Sequence, residues 1–431
     1  MKTSQAEDLL QQRQEYLIPK DSHYYDNPPL LVKGSMQYLW DIQGKKYLDL
    51  FAGVVTVNAG HCHPEIAKRI KEQVDTLQHT TTLFLTEPIV RLAMKLAEIA
   101  PGNLKKSFIT NSGTEANEGA TVLAKAATGA HDFIALRHSF HGRTLMGMSL
   151  TGQSIWRKGG PYVYGAQFVS SAYCYRCPFG KTYPSCNLEC AKDVENVIRT
   201  STPGKIAGLI AEPIQGNGGV ITPPPEYFKE VYAIVKKYGG LFISDEVQTG
   251  FGRTGEKWFG IEQWGVEPDI MTMAKGMGNG FPIGGFIAKP EIAEKLGQGY
   301  LFNTFGGNPV SATAALASIE VIEKEGLKEN SAKIGKYFKE RLLELQERHA
   351  LIGDVRGIGL MLGVELVSDR KTKAPATAET KKLMEFCKDK GVIIGKGGLD
   401  GNVLRIKPPL CITKEDVDFA IKVLDEALRQ V

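Results

Sequence analysis

Short runs that are apolar throughout recur along the middle of the chain, and between them lie longer stretches whose apolar residues fall every three or four positions. The runs sit in KKSFIT, DFIALRH, KIAGLIAEP, LFISDE, DIMTMAK and GGFIAKP. Strands of this kind are buried on both faces, and the amphipathic stretches supply the helices that cover them. One such stretch, EYFKEVYAIVKKYGG, aligns Phe228, Val231, Val235 and Tyr238 on a single helical face and stops at Gly239. Another begins after SFIT, where NSGTEANEG leads into an alanine-rich helix ending near Gly129. Upstream, MQYLWDIQGKKYLDLFAG reads as a hairpin turning at residues 41–45. Past about residue 325 the pattern changes to a long charged helix, two β-rich segments (GDVRGIGLMLGVELV and NVLRIKPPL) and a helix opened by Thr413 with Asp416 in capping-box spacing. The order predicts an α/β protein: a large domain with a mostly parallel sheet between helices, and a smaller α+β domain. The expected boundaries are an N-terminal segment, 1–60, joined to the small domain; a large domain, 61–325; and the small domain, 326–431.

Composition narrows the function without naming it. The 431 residues, 42% hydrophobic and 23% charged, are enough to bury a large core. Fifty-two basic against 48 acidic residues leave +4, spread too evenly for a nucleic-acid or membrane surface. Small anions remain as ligands. No apolar run of membrane-spanning length is present and the first residues lack a signal-peptide core, so the expected location is cytoplasmic; an organelle address removed beforehand would leave no trace. Seven cysteines, an odd number, favour reduced thiols.

The candidate chemistry lies at the ends of the apolar runs. Glu212, Asp245 and Lys275 each close one run, spaced by about the length of a βαβ unit (roughly 30 residues). A single charge there is ordinarily a solvated strand end; three in step, each beside glycine or proline, point to one cleft, because ligands of parallel sheets collect at the carboxyl ends of strands. A lysine in such a cleft loses its proton readily and can capture a carbonyl. An aspartate opposite it suits a cationic ring nitrogen. Ser112, Gly113 and Thr114 open the helix after SFIT, where free N–H groups favour an anion; with no G-K-[ST] ending, phosphate without nucleotide fits better than a nucleotide.

Together these motifs resemble the class III aminotransferases, fold-type I pyridoxal-phosphate transferases. The likeness is carried by ISDEVQTGFGRTG, PDIMTMAKGMGNGFPIGG, NSGTEANE, SFHGRT, AEPIQGNGG and FNTFGGNP in family order, and GNVLRIKPPLCIT places it nearest the alanine-glyoxylate aminotransferase 2-like branch. The resemblance implies that Lys275 forms the Schiff base with the cofactor aldehyde and later acts as the base, and that Asp245 pairs with the pyridinium nitrogen. It places Val247 and Phe140 on the two ring faces, His141 and Glu212 nearby, and Gln248 near the 3-oxygen. Ser112, Gly113 and Thr114 would hold the phosphate, joined by Thr304 from a neighbouring subunit, which implies a homodimer or a tetramer. Arg405 would clamp the substrate carboxylate, and in some ω-amino-acid relatives the residue at Glu212 pairs with it as a switch. Val54 and Trp156, with Val55 and Phe84, would shape the substrate pocket. The implied reaction moves an amino group from alanine or an ω-amino acid to an oxo acid such as glyoxylate or pyruvate by a ping-pong route. Alternatives are a 4-aminobutyrate or ornithine-type transferase using 2-oxoglutarate, a decarboxylase, epimerase or lyase on the same scaffold, and a nucleotide- or metal-binding protein without catalysis. Arg405 weighs against the phospho-lyases, where lysine is expected.

One motif stays outside this scheme. CYRCPFGKTYPSCNLEC spaces Cys174, Cys177, Cys186 and Cys190 as paired thiols, but the intervening loop is shorter than the common zinc patterns. Reduced structural thiols, with no metal, are the expectation.

Overall fold

The apolar runs assemble into one seven-stranded sheet. In the computed structural model, which describes residues 2–18, 23–297 and 301–431, its order is Lys106–Thr110, Gly284–Ala288, Ile270–Met273, Leu241–Asp245, Gly208–Ala211, Phe133–Leu136 and Ala166–Val169. Five of these strands pair in parallel. Gly284–Ala288 runs the other way, against Ile270–Met273 and Lys106–Thr110. The reason is local: a parallel return needs a crossover of about a dozen residues or more, and the chain turns straight back after Lys275 through glycine-rich sequence.

Period two explains the layers. Phe133, Ala135, Ile210 and Ile243 face one side and share a core with Leu123 and Ala124 of the helix Gly113–Thr128. Ile134, Leu136, Leu209 and Phe242 face the other and pack on the helices Glu189–Ser201 and Tyr227–Lys237. Each of the leucine, isoleucine and phenylalanine side chains among these stabilises the fold by about 1.5–3 kcal/mol when fully buried. Helix ends follow sequence. The Ser112 hydroxyl accepts from the Glu115 N–H at 3.3 Å, Tyr227–Lys237 stops before Gly239 at φ 71°, and Thr413 and Asp416 close their capping box.

The chain's two ends meet. Leu31–Ser35, Tyr38–Asp41 and Lys46–Asp49 form an antiparallel sheet, with Asp41 Oδ1 accepting from Gln43 and Lys45 N–H groups at 2.9 Å in the turn. Val392–Ile393 then adds in parallel beside Lys46–Asp49. A further sheet orders Ile352–Ile358, Met361–Asp369, Val403–Ile406 and Gly395–Gly397, with Ala374–Pro375 off its edge. Among the described residues, no helix is long and apolar enough to cross a membrane.

Candidate active site

Because Lys106–Thr110 is separated from Ile270–Met273 by one antiparallel strand, it points the same way as the parallel strands. Its C-terminus, and the start of the helix Gly113–Thr128, therefore emerge on the edge where Asp245 ends its strand, Glu212 follows Ala211 and Lys275 follows Met273 by two residues. Register keeps them level: Ala211 lies opposite Ser244, and Asp245 opposite Thr272. A cavity of about 340 Å³ opens at this edge. Its wall holds Ser112, Gly113, Thr114, Glu212, Asp245 and Lys275, and also Phe140, His141, Val247 and Gln248.

Asp245 is buried and its charge is held from three sides. Its Oδ2 accepts from His141 Nδ1 at 2.7 Å and Asn117 Nδ2 at 2.8 Å, and Oδ1 accepts from the Val247 N–H at 3.1 Å. Burial alone would push the carboxyl up; the hydrogen bonds and charge of His141, with Asn117, hold it below the usual aspartate range. Lys275 sits at a left-handed φ of 47°, a strained backbone for a lysine. Burial draws its amine below the usual lysine value, Asp245 and Glu212 oppose this, and Arg405 adds to it. Glu212 is buried, with Oε1 accepting from the Phe140 N–H and Oε2 from the Gly216 N–H, both at 2.9 Å. Burial pushes this carboxyl above the ordinary glutamate range, against the pull of His141.

Several predicted residues lie off the cavity wall. Trp156 stands behind Phe140, ring edge to face at 5.4 Å. Val54 is 37% exposed at φ 66°, Phe84 and Thr304 are exposed, and Val55 is buried. Arg405 is buried and does not line the cavity, but is near enough for its charge to act on the Lys275 amine. The Glu212–Arg405 pair that the resemblance implies for some ω-amino-acid relatives is not formed among the described residues: Glu212 accepts from the Phe140 and Gly216 N–H groups and from no side chain. The Thr114 hydroxyl is likewise engaged, accepting from the Arg143 and Thr144 N–H groups at 2.9 and 3.0 Å. Sequence reasoning missed Asn117, which ties Asp245 to Thr272 and the His141 carbonyl, and Lys407, which donates to Gln248 Oε1 at 3.0 Å. Asn117 was readable as the residue one turn into the helix on the Gly113 face; Lys407 carried no signal beyond its place in VLRIKPP. All seven cysteines are free, and among the described residues no three His, Cys, Asp or Glu side chains are grouped to hold a metal ion.

A lysine, a shielded aspartate and a helix start around one cavity are the parts the sequence motifs called for, and residues 22–428 match the aminotransferase class-III family model. This chain belongs to the class III aminotransferases. It is 50% identical to alanine–glyoxylate aminotransferase 2 homolog 2, mitochondrial, of Arabidopsis thaliana, covering 99% of this chain and 88% of the relative. To human alanine–glyoxylate aminotransferase 2, mitochondrial, it is 40% identical, over 98% and 86%. A Bacillus anthracis aminotransferase of known structure superposes with a TM-score of 0.93 at 36% identity, over 100% of both chains. The fold is fold type I, and class III aminotransferases depend on pyridoxal phosphate.

The residues present fit that cofactor. The cavity is of the size that takes a small ring with one phosphate. One Asp245 oxygen has a single backbone donor, leaving it free to accept from a ring N–H. At the helix start, a Cβ on Gly113 would come within 2.9 Å of the Val247 side chain, so glycine lets the first N–H groups of the helix open on the cavity beside Val247.

Proposed function

We propose that the chain transfers the amino group of alanine or an ω-amino acid to glyoxylate or pyruvate by a ping-pong route, the first product leaving before the second substrate enters. The observation that carries this reading is Arg405: a buried guanidinium whose charge reaches Lys275, whose Nε has no partner and which forms no ion pair among the described residues. A desolvated cation of this kind is satisfied by a carboxylate, which amino and oxo acids both bring. The names of the two alanine–glyoxylate relatives support the same donor and acceptor.

The residues then divide the work. Lys275 would hold the cofactor covalently, Asp245 would keep its ring nitrogen protonated, and His141 with Asn117 would keep Asp245 ionised and in place. The Gly113 and Thr114 N–H groups, with Ser112, would hold the phosphate; Val247 and Phe140 would pack on the ring, and Gln248 would face its 3-oxygen. Glu212 braces the Phe140 and Gly216 backbone beside them. When bound, pyridoxal phosphate supplies an aldehyde that accepts the amino group and a ring that withdraws electrons. Arg405 orients the substrate by its carboxylate. Lys275, its amine drawn toward the neutral form by burial, would take the proton from the substrate Cα.

Three broader assignments belong to the same reading. A homodimer with a shared site is supported by exposed Leu83, Phe84, Leu85, Phe302 and Phe305 around exposed Thr304, with Thr82 and Asn303 lining one apolar cleft. The domain limits at about residues 60 and 325 are supported by the separate sheets. Seven unpaired thiols support a reducing compartment, here the cytoplasm; both curated relatives are named mitochondrial, and fractionation of cells expressing the natural gene product decides between the two. The central test is a half-reaction. Mixing the cofactor-loaded protein with L-alanine, without acceptor, should convert its visible spectrum to the amine form and release pyruvate, and glyoxylate should reverse the change. No spectral change with alanine, β-alanine, β-aminoisobutyrate, 4-aminobutyrate or ornithine would overturn the proposal.

A further inference from the structure

Arg405 is held by groups from distant parts of the chain. Next to Tyr24, the buried Tyr25 hydroxyl donates to the Ile394 carbonyl and accepts from the Ile394 N–H, each at 2.9 Å, which pins the N-terminal segment against the C-terminal part of the chain. Tyr24 is thereby fixed beside Arg405, whose Nη2 donates to the Tyr24 hydroxyl oxygen at 2.8 Å. Its Nη1 donates to Asn217 Oδ1 at 3.3 Å. Beneath the guanidinium, 5.0 Å away, lies the Phe51 ring, which meets the Tyr24 ring at 5.6 Å and 62°. A Cβ on Gly395 would come within 2.1 Å of the Phe51 ring, so the glycine is what lets that platform lie there.

The hydrogen-bond count leaves specific donors free. A phenol oxygen that accepts from Arg405 keeps its own hydrogen, and among the described residues the Tyr24 O–H has no acceptor. Two of the five guanidinium hydrogens are used, and the buried Nε has no partner. Among the described residues no carboxylate answers this set. We propose that Tyr24 is a second donor of the substrate-carboxylate anchor: its O–H and the free N–H groups of Arg405 converge on one carboxylate, and its oxygen fixes the guanidinium in the orientation that receives it. The site is thus selective for substrates carrying a carboxylate on the Arg405 side, and the selecting residue comes from the N-terminal segment. This rests on the reading of Arg405 as the anchor.

The test uses the cofactor-loaded enzyme with Tyr24→Phe, which keeps the ring on Phe51, and with Arg405→Met. The readouts are KM and kcat for L-alanine, and the inhibition constant of propanoate, a carboxylate without an amine. Loss of one donor to a charged group should raise the alanine KM and the propanoate constant about tenfold to a hundredfold in Tyr24→Phe, with kcat retained. If Arg405→Met raises both constants and Tyr24→Phe leaves them within about twofold, the inference fails and the Arg405 reading stands. If neither variant moves them, both fail. A fall in kcat at unchanged propanoate binding in Tyr24→Phe also overturns the inference, since it marks a role away from the carboxylate.

Discussion

Asp245 and Glu246 are adjacent acids with opposite destinations. Asp245 opens on the cavity, whereas Glu246 is fully buried and accepts from the Ser244 and Thr249 hydroxyls and from the Gly260 and Ile261 N–H groups. Glu246 therefore builds the turn that aims its neighbour. Lys407 is a fully buried cation with no ion pair among the described residues: it donates to Gln248 Oε1 at 3.0 Å and the Gly216 carbonyl at 3.5 Å. Burial draws its amine well below 10.5, and Arg405, Lys275 and Arg253 add to this against Glu212. The unfolded chain then holds that proton to higher pH than the folded one, so the penalty is full below the folded pKa and lifts as pH rises toward 10.5. Lys407→Met should remove this dependence: urea unfolding of the apo-protein from about pH 7 to about pH 10 should show the variant's stability relative to wild type falling steadily with pH. A difference that does not change with pH would show that Lys407 is not held below its ordinary value.

At the scale of elements, capped helices and fully apolar strands were readable because their determinants are local. Ser112, Gly129, Gly239 and Thr413 stand where the helices start or stop. The strand Ala166–Val169 gave no such signal: it is a short edge strand, half-buried over most of its length and paired on one side only. The ties between elements are also invisible in sequence. Arg253, after the Asp245 turn, is fully buried and donates to the Leu360 carbonyl at 3.0 Å, to the Pro408 carbonyl, and to Asn58 Oδ1 at 2.6 Å. One planar fork thus joins the sheet edge to both ends of the chain. Arg253→Leu strands these buried acceptors, each worth about 1–3 kcal/mol, so guanidinium unfolding should show a loss of roughly 3 kcal/mol or more. Arg253→Lys should recover only part of it, since an ammonium cannot reach across the same three acceptors. Full stability in Arg253→Leu would mean that the elements are held together elsewhere.

For the whole molecule, the exposed apolar cluster makes the predicted assembly testable. Leu85 is 90% exposed and Phe305 63% exposed, each within three residues of the Thr82 and Asn303 that line the cleft. Placing Glu at both positions should convert a dimer to monomer in sedimentation velocity and, by removing Thr304 of the second subunit, weaken cofactor retention. A wild-type monomer with full activity would rule out the shared site. The sequence by itself determined the family, the layered α/β fold, and the lysine, aspartate and helix start that gather at one cavity, because strand burial, helix capping and motif chemistry are written within a few residues of one another. The antiparallel return after Lys275 was decided by a link too short to cross the sheet. That Asp245 is guarded by Asn117 and His141, that Glu212 accepts from the Phe140 and Gly216 backbone and not from Arg405, and that Tyr24 reaches Arg405 were decided only in three dimensions, since each joins residues whose proximity is created by sheet order and by the meeting of the two chain ends.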